Sequence, residues 1–447
     1  MKVALVGGGG FRAPIVYRAI VEAAKELSVD TLVLQDVDET RLERITRVLS
    51  GIAEERGEGV PVALTTRLEE AVEDADFVFC AIRVGGLEGR VVDETVPLGQ
   101  GVLGQETTGP AGICFALRTV PVMEAIAAVV AERAPRAWFL NFTNPAGLVT
   151  EALRDTLGDR AVGICDSPAA LCRRVAAALG RDPAELWFDY FGLNHLGWLR
   201  SVQSADGDLL PALLDSDERL AALDEGRLFG PELLRGLRMI PNEYLAYYSF
   251  TERVVEALVR AGSARGEYLL EQQRSFYEGT ASSPAEELDR WRQAERERHR
   301  TYMAEARPGA GPAVDSTLNG WDPGYAGVAL DLVRAVAGDS RQVLILNVAN
   351  RSALPFLDGA AVVEVPCIAG ASGIVPVAVG DVPEEQRRMI ERMKEVERTT
   401  IRAAREGSAD LAVAALAMHP LVPSEDAARR VFGGYLERHP GMREQLT

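Results

Sequence analysis

The sequence contains few of the residues that most often bind metals or form covalent cross-links. Among 447 residues there are five cysteines and four histidines. An odd and sparse set of cysteines does not provide the paired framework of a small disulfide-rich secreted domain. Any metal or acid–base site that uses cysteine or histidine must therefore be drawn from a very short list.

Positive charge and long apolar segments are scarce as well. The chain has 48 Lys and Arg residues against 66 Asp and Glu residues, a formal net charge of −18, and an acidic surface repels nucleic-acid phosphates and anionic membranes. No apolar run approaches the ~20 residues that cross a bilayer. The first residues, MKVALVGGGG, are typical of a β-strand rather than a signal peptide. We therefore expect a cytoplasmic protein without nucleic-acid or membrane partners.

The first 165 residues alternate short apolar runs with helical patterns, which predicts a parallel sheet covered by helices on both faces. Right-handed connections between such units favour a doubly wound sheet. The predicted strands are 2–6, 31–34, 77–81, 137–140 and 161–165, and the predicted helices are 13–27, 39–55, 111–133 and 146–157.

After residue 165 the pattern changes to long helices with a few added strands. We predict a mixed α/β domain over 166–447 that packs against a first domain over 1–165, and interfaces between domains favour ligand sites. The predicted strands are 186–193, 198–203, 342–347 and 361–365, and the predicted helices are 211–222, 242–261, 266–306 (broken) and 384–406.

A glycine-rich turn follows the first predicted strand and opens the first predicted helix. Gly8-x-Gly10-x-x-Ala13 satisfies the dinucleotide-binding pattern, in which glycines allow a tight turn and the pyrophosphate lies on the helix N-terminus. Asp36 ends the second strand, where a carboxylate accepts hydrogen bonds from ribose hydroxyls and favours NAD over NADP. The alternatives are an ordinary glycine turn and, for Asp36, a helix cap before Asp38.

Polar residues are concentrated in five segments between apolar runs. Four of these segments begin at or near the end of a predicted parallel strand, the edge at which open α/β sheets bind ligands. Taken singly, each segment is typical of a turn or a loop. The segments are 83–90, 104–110, 141–145, 163–168 and 192–195.

Cys165 and His195 are the cysteine and the histidine that fall at this edge. Two protein ligands are too few for a closed structural zinc site. A divalent ion such as Mn²⁺, completed by substrate oxygens, fits the pair better. We expect the other histidines, His299, His419 and His439, to be exposed.

The aromatic segment 239–248 is predicted to be mostly helix core. A tyrosine near a metal and another cation would have a lowered pKa and act as a base. Further along, Arg265 lies in a break between helices, where it would clamp an anion.

These segments, in this order, resemble the NAD- and divalent-metal-dependent glycosidases of glycoside hydrolase family 4. The resemblance runs from the GGGG turn to the VEVP segment at 363–366. It implies a Rossmann domain like that of lactate and malate dehydrogenases, followed by a mixed α/β substrate domain, in a homodimer or homotetramer. The most specific motifs are GQETTGPAG at 104–112, NFTNPAG at 141–147, GICDSP at 163–168 and FGLNH at 191–195.

The resemblance implies redox-assisted elimination rather than two-carboxylate hydrolysis. NAD⁺ oxidises C3 of the sugar, a metal such as Mn²⁺ held by Cys165 and His195 polarises the C2 and C3 oxygens, and Tyr244 removes the C2 proton. The aglycone leaves, water adds, and the hydride returns. Matched to the family, the cofactor-binding residues are Gly8, Gly9, Gly10, Phe11, Asp36, Arg83 and Asn144, and the substrate-binding residues are Arg90, Glu106, Asn144 and Arg265.

The arginine pair Arg83 and Arg90 resembles members that act on 6-phosphorylated glycosides. Segments 107–110 and 116–121 resemble the 6-phospho-β-glucosidases, whereas Asp166 resembles the 6-phospho-α-glucosidases, in which it is the acid for the leaving group. We favour β, with the α-specific enzyme as the alternative. A plain NAD-dependent sugar or 2-hydroxyacid dehydrogenase and a non-catalytic NAD sensor also remain open. The family usually has Ser at the position of Gly10 and an aromatic residue at that of Arg12.

Overall fold

Two β-sheets organise the part of the chain that the structure, a computed structural model, describes: residues 1–307 and 324–447. The strands of these residues are β1 (Lys2–Val6), β2 (Thr31–Gln35), β3 (Val62–Thr65), β4 (Phe77–Cys80), β5 (Trp138–Asn141), β6 (Ala161–Gly163), β7 (Trp187–Leu193), β8 (Leu196–Ser204), β9 (Gly207–Asp208), β10 (Ile240–Pro241), β11 (Gln342–Ala349), β12 (Val362–Gly370) and β13 (Gly373–Pro376).

The helices cover both faces of the larger sheet and form most of the second half. They are α1 (Ala13–Leu27), α2 (Glu39–Arg56), α3 (Leu68–Val72), α4 (Gly86–Leu98), α5 (Pro110–Arg133), α6 (Ala146–Leu157), α7 (Ser167–Leu179), α8 (Leu210–Leu214), α9 (Asp217–Ala222), α10 (Asp224–Phe229), α11 (Pro231–Leu237), α12 (Ala246–Ser249), α13 (Thr251–Ala261), α14 (Arg265–Glu278), α15 (Pro284–Arg300), α16 (Gly324–Gly338), α17 (Glu384–Glu406), α18 (Ala409–Met418), α19 (Glu425–Arg438) and α20 (Met442–Gln445).

The larger sheet has the strand order β13-β12-β11-β6-β5-β4-β1-β2-β3. Its six strands from β3 to β6 are parallel, and their residues are apolar on both faces because helices cover both. The strand order reverses between β1 and β4, and in such sheets ligands bind at that reversal, outside the carboxyl ends of the strands. The fold class predicted from the sequence is confirmed.

The second sheet pairs β7, β8 and β10, with β9 beside β8. Strands β7 and β8 form an antiparallel hairpin in which Leu193 pairs with Leu196. Asn194 and His195 are therefore the two residues of its turn. Strand β7 packs on β12, so this turn is brought to the larger sheet.

Several predicted elements have the expected bounds, and others differ. Helices α1 and α17 match 13–27 and 384–406. The predicted helix 242–261 is interrupted, because Pro241 ends strand β10 and the Asn242 side chain accepts a hydrogen bond from the Tyr244 amide, which starts a short 3₁₀ turn over Glu243–Leu245. The predicted helix 211–222 is likewise divided into α8 and α9, and β3 is a strand that the sequence pattern did not predict.

Strands β11, β12 and β13 extend the larger sheet beside β6. Strands from both sides of residue 165 thus share one sheet, joined where Asn347 of β11 pairs with Gly163 of β6. A domain boundary at residue 165 stays a prediction, and the chain that follows it contributes both to the second sheet and to the first.

Helix α5 corrects the expectation about apolar runs. Within the described residues it is long and apolar enough to cross a membrane by length and composition, and 67% of its most apolar window is buried inside the protein. Its Phe115 and Arg118 are both buried, and Arg118 forms an ion pair with Asp93 of α4. These contacts are those of a core helix of the larger sheet.

Candidate active site

The glycine-rich turn lies between β1 and α1, at the reversal of strand order. A Cβ atom at Gly8 would lie 2.7 Å from the Leu34 Cβ, and one at Gly9 would lie 2.9 Å from Asp36 Oδ2. Strand β2 therefore leaves no room for a side chain at Gly8, and the Asp36 and Arg41 side chains leave little at Gly9. The turn leads into the N-terminus of α1, where a dinucleotide pyrophosphate would bind.

Asp36 contacts the glycine turn and does not cap a helix. Its Oδ2 accepts a hydrogen bond from the Gly9 amide at 3.0 Å, while Asp38 is the residue that caps α2 by accepting from the Arg41 amide. Burial raises the pKa of Asp36 above its usual value. Its binding of a cofactor ribose stays a prediction.

Cys165 and His195 lie at the carboxyl ends of β6 and β7, and both are buried. His195 Nδ1 is 3.0 Å from the Thr107 hydroxyl, so Nε2 is the nitrogen that a metal would use, with Thr107 orienting the ring. Burial lowers the pKa of His195 to about 3, which keeps the imidazole neutral. The backbone of His195 has φ 63°, an unusual conformation for a non-glycine residue that often occurs at functional sites.

Tyr244 stacks on the His195 ring, with 3.6 Å between the ring centroids and 6° between the planes. Its hydroxyl is 3.1 Å from that of Tyr302, which is 2.8 Å from a carboxylate oxygen of Glu243. Burial, and next the Glu243 charge, raise the pKa of Tyr244. The expected lowering of a tyrosine pKa is thus not found in the protein chain alone, because a buried phenol beside a carboxylate loses its proton less readily.

Asp166 belongs to the same group. It is the N-cap residue of α7 and lies close enough to Cys165 and Tyr244 for its charge to raise the pKa of each. The structure therefore brings both predicted catalytic residues to the predicted metal ligands.

Arg83 and Arg90 both contact Glu106. Arg90 forms ion pairs at 2.6 Å with Glu106 and at 2.7 Å with Glu94, and Arg83 pairs with the other oxygen of Glu106. Arg83 also lies over the Phe115 ring at 4.6 Å. Burial, and next the charge of Arg90, lower the pKa of Arg83 to about 9.

Arg265 lies beside this pair without joining it directly. Its guanidinium donates to the backbone carbonyls of Thr301 and Arg298 and lies 5.6 Å from the centre of the Tyr302 ring. Burial, and next the charge of Arg90, lower the pKa of Arg265. Arg265 is therefore near both Arg90 and Tyr302.

Asn144 places an acceptor in the buried site. Its Oδ1 atom is buried and has no hydrogen-bond partner among the described residues. A buried acceptor without a partner is costly, so a donor on a bound ligand would stabilise this side chain.

Glu364 is a functional-site residue that the sequence analysis did not single out. This fully buried carboxylate on β12 accepts hydrogen bonds from Asn194 at 3.2 Å, Asn347 at 2.9 Å and Tyr190 at 3.0 Å. Burial raises its pKa to about 7. Since Asn194 precedes His195 in the β7–β8 turn, Glu364 holds that turn in place. The available signal was a single acidic residue within an apolar strand.

Two of the three histidines expected to be exposed are buried. His299 has a side chain that is 62% exposed, as expected, whereas His419 and His439 are 2% and 5% exposed. The expectation failed because the C-terminal helices pack over α4, α5 and α17, and residues before a proline at a helix end are buried by that packing.

His439 belongs to a buried cluster with Asp93 and Cys114, whose ligand-type atoms lie within 4.8 Å of one another. Arg118 Nη1 lies 2.9 Å from Asp93 Oδ1. The same nitrogen is 3.1 Å from both Cys114 Sγ and His439 Nε2. The guanidinium occupies the position that a metal cation would take, so the cluster is an ion-pair network.

Comparisons with known proteins identify the family of this chain. The model of the family 4 glycosyl hydrolases matches residues 2–181, and that of the family's C-terminal domain matches residues 190–422. The probable 6-phospho-beta-glucosidase of Bacillus subtilis is 31% identical, over 98% of this chain and 96% of that protein. The 6-phospho-alpha-glucosidase 1 of Lacticaseibacillus paracasei is also 31% identical, over 96% of this chain and 95% of that protein.

Solved structures give the same result. The 6-phospho-beta glucosidase from Thermotoga maritima, determined with manganese, NAD⁺ and glucose-6-phosphate, superposes with a TM-score of 0.82 at 26% identity and covers 100% of both chains. Malate dehydrogenase from Salinibacter ruber, at 13% identity over 91% of this chain and all of that one, has a TM-score of 0.52, which is a likeness of fold alone. The chain belongs to the family 4 glycosyl hydrolases.

Proposed function

We propose that this protein hydrolyses 6-phospho-β-glucosides with the help of bound NAD⁺ and a divalent metal such as Mn²⁺. The proposal rests on the contacts of two adjacent residues. Glu106 contacts both Arg83 and Arg90, and Thr107 contacts His195. One short segment thus joins a group suited to a phosphate to a group suited to a metal.

The arginine group supports a phosphorylated substrate. Arg90 is buried and Arg83 is partly exposed; both pair with Glu106, Arg90 also pairs with Glu94, and Arg265 and Arg298 add further positive charge nearby. Placing cations together in a buried site is unfavourable unless an anion binds there. A phosphate dianion would stabilise the group, and the planar guanidinium forks suit its oxygens.

The residues present also fit the two cofactors. The glycine turn and Asp36 provide the backbone approach and the carboxylate that a dinucleotide requires. A neutral imidazole and a thiol, completed by substrate oxygens, suit a borderline divalent ion. When bound, NAD⁺ would supply a hydride acceptor for sugar C3 and the metal a Lewis acid for the neighbouring oxygens.

Side chains of this protein would then carry out the proton transfers. The Tyr244 oxygen would take the proton from sugar C2 as a phenolate, a form that a divalent cation bound nearby would favour, and Tyr302, 3.1 Å away, holds that oxygen in place. The Asp166 carboxyl group would donate a proton to the glycosidic oxygen. Asn144 Oδ1 would accept a hydrogen bond from a ligand hydroxyl.

Asp166 favours the alternative, an α-specific enzyme, because an aspartate at this position resembles the 6-phospho-α-glucosidases. The relatives include a probable 6-phospho-beta-glucosidase and a 6-phospho-alpha-glucosidase at the same 31% identity. We favour the β-anomer on the sequence of segments 107–110 and 116–121.

A direct test compares nitrophenyl 6-phospho-β- and 6-phospho-α-glucosides, with purified protein, NAD⁺, Mn²⁺ and a thiol reductant. Release of nitrophenol from the β-anomer with no net accumulation of NADH is expected, and unphosphorylated glucosides should react much more slowly. Preference for the α-anomer would overturn the β assignment. Steady accumulation of NADH without nitrophenol release would instead identify a dehydrogenase.

A further inference from the structure

The helical hairpin α14–α15 donates two hydrogen bonds to the glycine turn of the Rossmann unit. The Tyr277 hydroxyl donates to the Gly9 carbonyl oxygen at 2.7 Å, across 268 residues of sequence. Trp291 Nε1 donates to the Phe11 carbonyl oxygen at 2.9 Å, across 280 residues. Neither donor belongs to the dinucleotide motif, and neither has a role in the chemistry described above.

The side chain of Phe11 adds an aromatic contact to the same hairpin. Its ring is perpendicular to that of Phe276, with centroids 5.6 Å apart, and lies 5.7 Å from that of Trp291. Phe11 is 6% exposed and Trp291 is 5% exposed. The end of the glycine turn is thus held by packing as well as by hydrogen bonds.

These hydrogen bonds orient the peptide groups of the turn. In a trans peptide the carbonyl and the following N–H point in opposite directions. A Phe11 carbonyl held by Trp291 therefore turns the amide of Arg12, the N-cap residue of α1, away from the hairpin. Amides at this helix end are the groups that bind a pyrophosphate, whereas a carbonyl turned into their place would repel it.

The donors on the hairpin are themselves held in place by α2. The Arg41 guanidinium lies 4.3 Å from the centre of the Tyr277 ring. Arg44 donates to the Tyr277 carbonyl oxygen at 3.1 Å and pairs at 2.8 Å with the fully buried Glu287 of α15. Because the ring is already fixed from α2, its hydroxyl loses little freedom when it bonds to Gly9.

We propose that Tyr277 and Trp291 are positioning residues for the pyrophosphate of NAD⁺, which hold the Gly9 and Phe11 carbonyls away from the anion. This inference rests on the NAD⁺ binding proposed above. It assigns part of cofactor affinity to a hairpin in the second half of the chain, whose first turn also reaches the substrate side through the Gly266 amide and Glu94 at 2.6 Å.

The test is calorimetric titration of the full-length protein with NAD⁺. Tyr277→Phe keeps the ring and removes only the hydroxyl, so Kd should rise about fivefold to tenfold, the value of one lost hydrogen bond that leaves an acceptor unpaired. Trp291→Phe should weaken binding at least as much. The matched control is Tyr268→Phe on the same helix, where the side chain is 39% exposed and its hydroxyl contacts Gln272; its Kd should stay within twofold of the wild type.

Titrations with fragments of NAD⁺ test whether the change in Kd comes from the pyrophosphate. ADP-ribose, which carries the pyrophosphate, should lose the same factor in Tyr277→Phe, and adenosine, which lacks it, should bind the variant and the wild type equally. Equal losses for both ligands would overturn the assignment to the pyrophosphate.

Turnover and melting separate positioning from structural damage. In Tyr277→Phe, KM for NAD⁺ should rise while kcat at saturating NAD⁺ remains at the wild-type value, and the melting temperature of the NAD⁺-free protein should fall only by the few degrees that one unpaired acceptor costs. An unchanged Kd, or a lower melting temperature with a matching loss of kcat, would overturn the inference alone. Failure of the wild-type protein to bind NAD⁺ would overturn both this inference and the proposed cofactor.

Discussion

The cofactor side and the substrate side of the site are built in different ways. On the cofactor side, the glycine turn and Asp36 belong to one β1–α1–β2 unit, and the Gly9–Asp36 hydrogen bond spans 27 residues. On the substrate side, the Thr107–His195 contact spans 88 residues and the Asn194–Glu364 contact spans 170. The first is a local motif, whereas the second exists only when distant segments meet.

This difference predicts which substitutions each side of the site tolerates. The local unit depends mainly on backbone geometry, so its glycines and one carboxylate define its form, and the α14–α15 hairpin adds two hydrogen bonds from outside the unit. The substrate side depends on side chains held by buried hydrogen bonds and ion pairs, in which the loss of one partner leaves the other buried and uncompensated. The predictions below test whether the two sides respond separately.

The largest effect is expected from Cys165→Ser, which removes a ligand of the proposed metal. Metal-dependent turnover should fall on the order of a thousandfold, since the metal stabilises developing charge by several kcal/mol, while NAD⁺ affinity changes little. Steady-state assays over a range of Mn²⁺ concentrations check this. Cys172→Ser on α7, also a buried cysteine, is the control, and undiminished activity in Cys165→Ser would remove the metal assignment.

Arg90→Lys is expected to have the next largest effect. It keeps the charge but loses the fork that contacts Glu94 and Glu106. We expect kcat/KM for the 6-phosphoglucoside to fall roughly tenfold to a hundredfold, as for a lost charge-assisted hydrogen bond. The slow reaction of the unphosphorylated glucoside should change much less. Equal losses on both substrates would mean that Arg90 does not recognise the phosphate.

On the cofactor side, Asp36→Ala should raise the Kd for NAD⁺ about tenfold, because a hydrogen-bonding carboxylate is worth roughly 1.5 kcal/mol. The Kd for Mn²⁺ should be unchanged if the two sides are independent. Calorimetric titration of each ligand measures both values. A parallel loss of Mn²⁺ affinity would contradict the separation of the two sides.

The smallest effect on the site itself is expected from a pH dependence of stability at the C-terminal segment. Burial lowers the pKa of His419 to about 3, so below its unfolded pKa of about 6.5 the unfolded chain binds a proton that the folded protein does not. This residue's contribution to stability is therefore complete above about pH 6.5 and falls by up to ~1.4 kcal/mol per pH unit as the pH drops towards 3.

Chemical denaturation between pH 7 and 5 measures this contribution. His419→Asn can still accept the hydrogen bond from the Leu421 amide and should show a shallower loss of stability on acidification than the wild type, by about 2 kcal/mol at pH 5. His299→Asn, at an exposed position, should follow the wild-type curve. An identical slope in both variants would contradict a neutral buried His419.

The cofactor side and most of the regular elements were predictable from sequence for a physical reason. Helices α1 and α17 have apolar residues at helical spacing and clear ends, and Gly8, Gly9 and Asp36 form a pattern within one unit. The strands β11 to β13 were harder to assign, because an apolar run does not tell which sheet it will join.

Burial at single polar positions was the main point that sequence could not settle. Glu364 was passed over and His419 and His439 were expected to be exposed, yet all three are buried with specific partners. A polar residue is buried when another part of the chain offers a partner, and that partner is not visible in the residues beside it.

The sequence by itself determined the doubly wound sheet, the glycine turn and the short list of metal-ligating side chains. Only the tertiary structure decided that Glu106 and Thr107 would join the arginine pair to His195, that Glu364 would hold the Asn194 turn, and that Tyr277 would reach Gly9. The reason is that periodicity and turn geometry act over a few residues, whereas a buried polar contact forms only between segments that the whole fold brings together.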